Sequence, residues 1–173
     1  MTLDALRGRR PEVLGDLMAR YGLEIRNVAY LIIRDWSLAE DVLVDTLLTA
    51  LDRGDSLRDD AALRQWLLRI AANKAIDVRR ASSRIVQLHL VPDREARRTS
   101  DDDRIALLGA VEQLAPRMRA ALVLRYYADL PVRDVAEALG TSENTVKTQL
   151  REALAHMRTT LGEADDFLED HHG

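Results

Sequence analysis

Apolar residues recur at intervals of three and four through two long stretches of this 173-residue chain, and the pattern fails between residues 82 and 103. In the first stretch the series runs Val13, Leu17, Tyr21, then Ile25, Val28, Ala29, Ile32, and later Leu63, Trp66, Leu67, Ile70. In the second it runs Ile105, Leu108, Val111, Leu114 and, further on, Val146, Leu150, Leu154, Met157, Leu161. Side chains at that spacing share one face of an α-helix and cannot share one face of a strand. The chain therefore reads as all-α, with two small helical domains joined by an irregular linker. Hydrophobic residues make up 47% of it and aromatics only 4%, a balance that suits packed helices better than a sheet.

Local punctuation sets the expected boundaries. Ser37-Leu38-Ala39-Glu40 has the spacing of a capping box, which opens a helix over 37–53. Gly54 follows as a left-handed terminator, and a polar loop extends to Asp60, which caps the next helix. That helix is expected to end near Arg80 or Ala81, with Trp66 on its core stripe. Pro92 and the polar run 99–103 mark the linker. Beyond it, Pro116 belongs in the first turn of a helix, and Asp129-Leu130-Pro131 interrupts the chain. A short helix over 132–139, a turn at Gly140-Thr141 and a long helix from Glu143 capped by Ser142 complete the pattern. The resulting division is 10–81, a linker 82–103, a second domain 104–161 and an acidic, disordered tail 162–173.

Several function classes fall away at this stage. With no cysteine there is neither a disulfide framework nor a thiolate metal site. The longest apolar run, 28–33, is too short to cross a bilayer and the N-terminus has no signal-peptide core, so a soluble cytoplasmic chain without membrane insertion is expected. A formal charge of −4 argues against a protein that coats DNA unaided. Basic residues nevertheless dominate 61–98, while the end is acidic, an asymmetry that suits a nucleic-acid face. No nucleophile–base pairing or phosphate loop stands out. His89 and His156 are isolated, His171 and His172 sit at the very end, and Asp101-Asp102-Asp103 lacks a second acidic cluster. No enzyme, metal or cofactor is expected.

The segment 132–158 has the layout of a helix-turn-helix: a short helix, a turn with glycine, and a second helix. Gly140 suits a positive φ, Ala136 is small where the helices cross, and Val146 and Leu150 bury the second helix. Asn144, Lys147, Thr148 and Arg151, with Glu143, then point outward near its N-terminal end, where such motifs touch base edges. A helical hairpin with no DNA partner has the same local pattern.

Four segments, in order, resemble the extracytoplasmic-function (ECF) sigma factors of RNA polymerase. The run 35–43, Asp-Trp-Ser-Leu-Ala-Glu-Asp-Val-Leu, resembles their region 2.2, and 66–80, Trp-Leu-Leu-Arg-Ile-Ala-Ala-Asn-Lys-Ala-Ile-Asp-Val-Arg-Arg, resembles regions 2.3 and 2.4. The segments 114–119 and 124–127 are similar to region 4.1, and 134–140 with 145–150 to region 4.2. The resemblance implies that the 37–53 helix docks on core RNA polymerase through Glu40, Asp41, Asp45 and Leu48. It implies that the loop 54–60 and the helix after it capture the unpaired −10 strand of promoter DNA, with Asn73, Lys74, Asp77, Arg79 and Arg80 as contacts. It also places the second helix of the motif in the −35 major groove, read by Asn144, Thr145, Lys147, Thr148 and Arg151. An anti-sigma factor is a further partner the family implies.

The chain departs from the family pattern in places. Val44 stands where Gln is frequent, Leu47 where an aromatic is, and Thr49, Gln149 and Glu152 where Arg is. Two other functions stay open on the residues: a stand-alone helix-turn-helix regulator whose first half senses or dimerises, and a sigma-like decoy that occupies polymerase or an anti-sigma factor without melting DNA.

Overall fold

A computed structural model of the chain describes residues 6, 8, 10, 12–57, 59–86 and 102–169, with side chains left undescribed at 56, 83–86, 102–104 and 163–169. The centre of the expected linker, including His89, and residues Asp101, His171 and His172 lie outside the described residues. Every regular element among the described residues is helical. None of the helices is long and apolar enough to cross a membrane.

The first half is a three-helix unit. Helix α1, Glu12–Ile33, buries Val13, Leu17, Tyr21, Ile25, Val28, Ala29 and Ile32, the stripe expected from the three- and four-residue spacing. It ends at Arg34, whose φ of 67° lets the chain reverse into helix α2, Trp36–Arg53. The cap of α2 is Asp35 and not Ser37: the Asp35 carboxylate accepts from the Leu38 backbone N–H at 2.9 Å, and Ser37 falls inside the first turn. Two side chains competed for the same orphan N–H groups, and the extended backbone at Asp35 decided the choice. Gly54 is also different from the expectation. Its φ of −55° is right-handed, and the chain runs on into a 3-10 turn, Gly54–Ser56. Glycine is needed there because a Cβ would lie 2.7 Å from Leu6 Cγ, a fully buried side chain.

Helix α3, Leu63–Val86, follows a second 3-10 turn, Asp60–Ala62, capped by Asp59 through a 3.0 Å bond from the Ala61 N–H; Asp60 is its first residue. Leu63, Leu67, Leu68, Ala71, Ala72, Ala75 and Ile76 bury α3 against α1 and α2. The helix continues past Ala81, because Ser82 satisfies its hydroxyl on the Val78 carbonyl, 3.0 Å away, and leaves the ladder intact.

The second half begins with helix α4, Asp102–Glu112, and helix α5, Pro116–Leu122, with Pro116 in the first turn as its fixed φ favours. A single π-helical turn, Val123–Tyr127, ends in Asp129 with a φ of 54°. Helix α6, Val132–Leu139, and helix α7, Glu143–Glu169, flank the turn at Gly140. Gly140 has φ 60° and ψ 45°, and the Thr141 and Gly140 N–H groups bond the Ala136 and Glu137 carbonyls at 2.9 and 3.2 Å, a Schellman terminus. The Ser142 hydroxyl accepts from the Thr145 N–H at 3.1 Å and caps α7. Val146, Leu150, Ala153 and Met157 are buried, and α7 packs on α4, α5 and α6. Its backbone stays helical past Gly162 to Glu169, where an unordered tail was expected: no left-handed residue stops it there.

The two halves touch. Helix α6 lies against α3, and α5 contacts both α3 and α1.

Candidate polymerase and promoter interfaces

On α2 the spacing that buries Ala39, Val42, Leu43, Thr46, Leu47 and Ala50 leaves one continuous outward stripe. It carries Glu40, Asp41, Val44, Asp45 and Leu48, all exposed. Val44 and Leu48 are each half exposed, so three carboxylates surround two apolar side chains that nothing in the fold covers. Such a stripe suits a partner surface with basic residues around an apolar contact. Of the departures in this helix, Val44 alone lies on the stripe. Leu47 belongs to the core, and Thr49 is half-buried with its hydroxyl on the Asp45 carbonyl at 2.7 Å. The start of α2 is braced by Trp36, stacked on Tyr30 at a centroid distance of 3.9 Å, with Arg26 and Arg34 over the outer faces of the pair.

Between α2 and α3 runs an open groove of about 680 Å³. Thr49, Arg53 and Asp55 form one wall; Trp66, Arg69, Ile70, Asn73, Lys74 and Asp77 form the other. Trp66 was expected in the core and is instead half-buried, packed on the core with part of its ring forming the groove wall. The groove thus combines a flat aromatic surface with three cations, the chemistry that holds a single strand by stacking and phosphate contact. Asn73, Lys74 and Asp77 are brought together here as expected. Arg79 is not: two residues past Asp77 it lies about 200° round the helix, and its charge bears on Arg119 instead. Arg80 is exposed outside the groove lining.

On α7, Asn144, Lys147, Thr148 and Arg151 are all exposed and fall within an arc of about 100° at 3.6 residues per turn. Thr145 stands apart, about 100° from Asn144, with its hydroxyl bonded to the Ser142 hydroxyl at 2.8 Å, so it serves the cap. Glu152 is exposed just beyond the edge of the arc, whereas Gln149 is half-buried, with its Oε1 buried and without a hydrogen-bond partner. The Arg117 guanidinium donates to the Leu139 carbonyl at the end of α6 and so supports the turn before α7.

Sequence reasoning missed Arg53 and Arg69 as groove cations and missed Arg119 altogether. Arg119 is 1% exposed and donates to Ile32 O at 2.6 Å, Leu114 O at 3.1 Å and Glu112 O. Burial lowers its pKa to about 10, with the charge of Arg79 acting in the same direction. In the sequence it was one more arginine in an Arg-rich chain.

Comparison with known proteins bears on these faces. The family model described as Sigma-70 region 2 matches residues 17–85, and that described as Sigma-70, region 4 matches residues 104–157. The chain is 32% identical over 151 residues to the ECF RNA polymerase sigma factor SigM of Mycobacterium tuberculosis, covering 84% of this chain and 76% of that one. It is 34% identical over 138 residues to the ECF sigma factor SigL of the same species, covering 75% and 77%. Among solved structures, CnrH in complex with the cytosolic domain of CnrY superposes with a TM-score of 0.71 at 22% identity, covering 93% of this chain and 95% of that one. The sigma factor RpoE of Bartonella quintana, in complex with the anti-sigma factor NepR, gives 0.67 at 24%, covering 85% and 97%. With both halves matched in order and relatives above 30% identity over three quarters of the chain, the chain belongs to the ECF family of RNA polymerase sigma factors.

Proposed function

We propose that this sigma factor docks on core RNA polymerase through the acidic–apolar stripe of α2, captures the unpaired −10 strand in the α2–α3 groove, and reads the −35 duplex with α7. The observation that carries the reading is the division of exposed chemistry. Carboxylates around Val44 and Leu48 face one way on α2, cations with an aromatic wall line the groove behind, and amide, hydroxyl and cationic side chains project from α7. Each face suits a different ligand: a basic protein surface, a single strand, and base edges in a major groove. The −10 contacts in this reading are Asn73, Lys74 and Asp77 with Arg53 and Arg69; Arg80 is an outlying phosphate contact, and Arg79 lies outside the groove lining. The −35 readers are Asn144, Lys147, Thr148 and Arg151. By analogy with the complexes of similar fold, an anti-sigma factor is its regulatory partner.

Run-off transcription with purified core polymerase tests the reading as a whole. Promoter-dependent transcripts, with permanganate-reactive thymines in the −10 region, are the expected result. Stable polymerase binding without opening would instead identify a decoy, and tight duplex binding with no effect on polymerase would identify a stand-alone regulator.

A further inference from the structure

The large apolar side chains that α2 leaves exposed are Trp36, Val44 and Leu48, at 45%, 50% and 50%. With Glu40 they stand at intervals of four, so all of them lie along one ridge of the helix. From Trp36 to Leu48 that ridge is about 18 Å long at 1.5 Å per residue. Single apolar side chains scattered over a surface need no explanation, but three in one row do. Val44 and Leu48 belong to the acidic–apolar stripe; Trp36 carries the ridge past Glu40 to the first residue of α2. Val44, in place of the glutamine frequent in the family, makes the same ridge more apolar.

The Trp36 ring is held in place from both sides. The left-handed backbone at Arg34 reverses the chain, so the start of α2 meets the last turn of α1. The Trp36 and Tyr30 rings stack at 3.9 Å with their planes 9° apart, and the Arg26 guanidinium lies 5.4 Å from the centre of the Trp36 ring. Arg26 in turn pairs with Glu40 at 4.0 Å. A brace between α1 and α2 needs only the stacked face of the ring. Exposure of 45% leaves on the order of 100 Å² of the side chain open beyond that use. An aromatic side chain whose position is fixed before a partner arrives loses little entropy when it is covered, and such side chains make interface hot spots.

We propose that Trp36 is an anchor of the polymerase interface, a contact residue that core polymerase covers together with Val44 and Leu48. The proposal rests on the reading of α2 as the docking helix, and the ridge is continuous with that face. The carboxylates select the occupant. Two copies of this chain meeting through α2 would set Glu40, Asp41 and Asp45 of one against those of the other, and like charges across an interface are costly. A basic surface with an apolar centre satisfies the charges and the ridge together.

Hydroxyl-radical footprinting of the full-length protein, read by mass spectrometry, compares Trp36 in the free chain and in its complex with core polymerase, without DNA. Oxidation of Trp36 is expected to fall severalfold on binding. In titrations with core polymerase, Trp36→Ala is expected to bind at least tenfold more weakly, a change that covering on the order of 100 Å² of apolar surface supplies. Trp36→Phe, which keeps a ring on Tyr30, is expected to recover most of that loss. Circular dichroism checks the fold of each variant, and the footprint of the wild-type chain decides if Trp36→Ala does not fold. Unprotected Trp36 would overturn the contact even where Trp36→Ala binds weakly, leaving the indole a brace for α2. Wild-type affinity in Trp36→Ala would overturn the anchor too; a loss of binding in Asp41→Arg would then leave the α2 reading standing without it. Unprotected Trp36 with undiminished binding of Asp41→Arg would overturn the α2 reading, and the anchor with it.

Discussion

Arg119 Nη1 donates to the carbonyl of Ile32 across 2.6 Å, joining α5 to the end of α1 over 87 residues of chain. Its other amino group holds the Glu112 and Leu114 carbonyls of its own half. The buried guanidinium is held by three carbonyls, with the charge of Glu112 also favouring its protonated form, and removing it takes a donor from each of those carbonyls. Arg119→Met is therefore expected to lower unfolding free energy by about 2–3 kcal/mol, measured by urea denaturation.

The same burial sets a pH signature. The Arg119 pKa is lowered to about 10, so the folded state binds this proton less readily than the unfolded chain does. Below pH 10 the group is charged in both states and its burial cost is constant. Above pH 10 the folded state releases the proton first, and stability gains with pH. The stability difference between wild type and Arg119→Met should thus be flat from pH 6 to 9 and grow above pH 10, where thermal melts of the two proteins should diverge.

On the α2 stripe, Asp41→Arg opposes a cation to whatever basic surface the carboxylates meet. Binding to core polymerase should weaken at least tenfold at moderate salt, because like charges across an interface are costly. Val44→Gln, which restores the residue frequent in the family, should bind at least as well as wild type. Co-elution and fluorescence titration with core enzyme read both.

On α7, Arg151→Ala should cost roughly 1–3 kcal/mol on the preferred duplex and relax one position of the −35 motif. Selection from a randomised duplex library shows the relaxed position directly. Glu152→Arg, at the edge of the arc, should strengthen binding to all duplexes and steepen the salt dependence by about one phosphate contact.

The two glycines make opposite demands. Around Gly140 nothing lies within 4 Å of an added Cβ, so Gly140→Ala pays only for the left-handed backbone, about 1 kcal/mol. Gly54→Ala instead drives a methyl to 2.7 Å from the buried Leu6 side chain and should cost roughly 1–3 kcal/mol of overpacking. Thermal melts should rank Gly54→Ala as the more damaging.

What the sequence by itself determined is what depends on neighbours in the chain. The three- and four-residue spacing determined the faces of α1 and α7, Pro116 the start of α5, and Gly140 with Ser142 the turn between α6 and α7. Each acts through dihedrals or caps within one turn of helix, so its signature is local. Even there, Asp35 displaced Ser37 and Asp59 displaced Asp60, because neighbouring carboxylates and hydroxyls reach the same N–H groups. Only the tertiary structure decided that Trp66 and Arg53 line one groove and that Asn73 meets Ala138. Those pairs lie up to 65 residues apart, and no periodicity records them. They follow from how the helices pack, and packing is settled by the sum of many small contacts over the whole core.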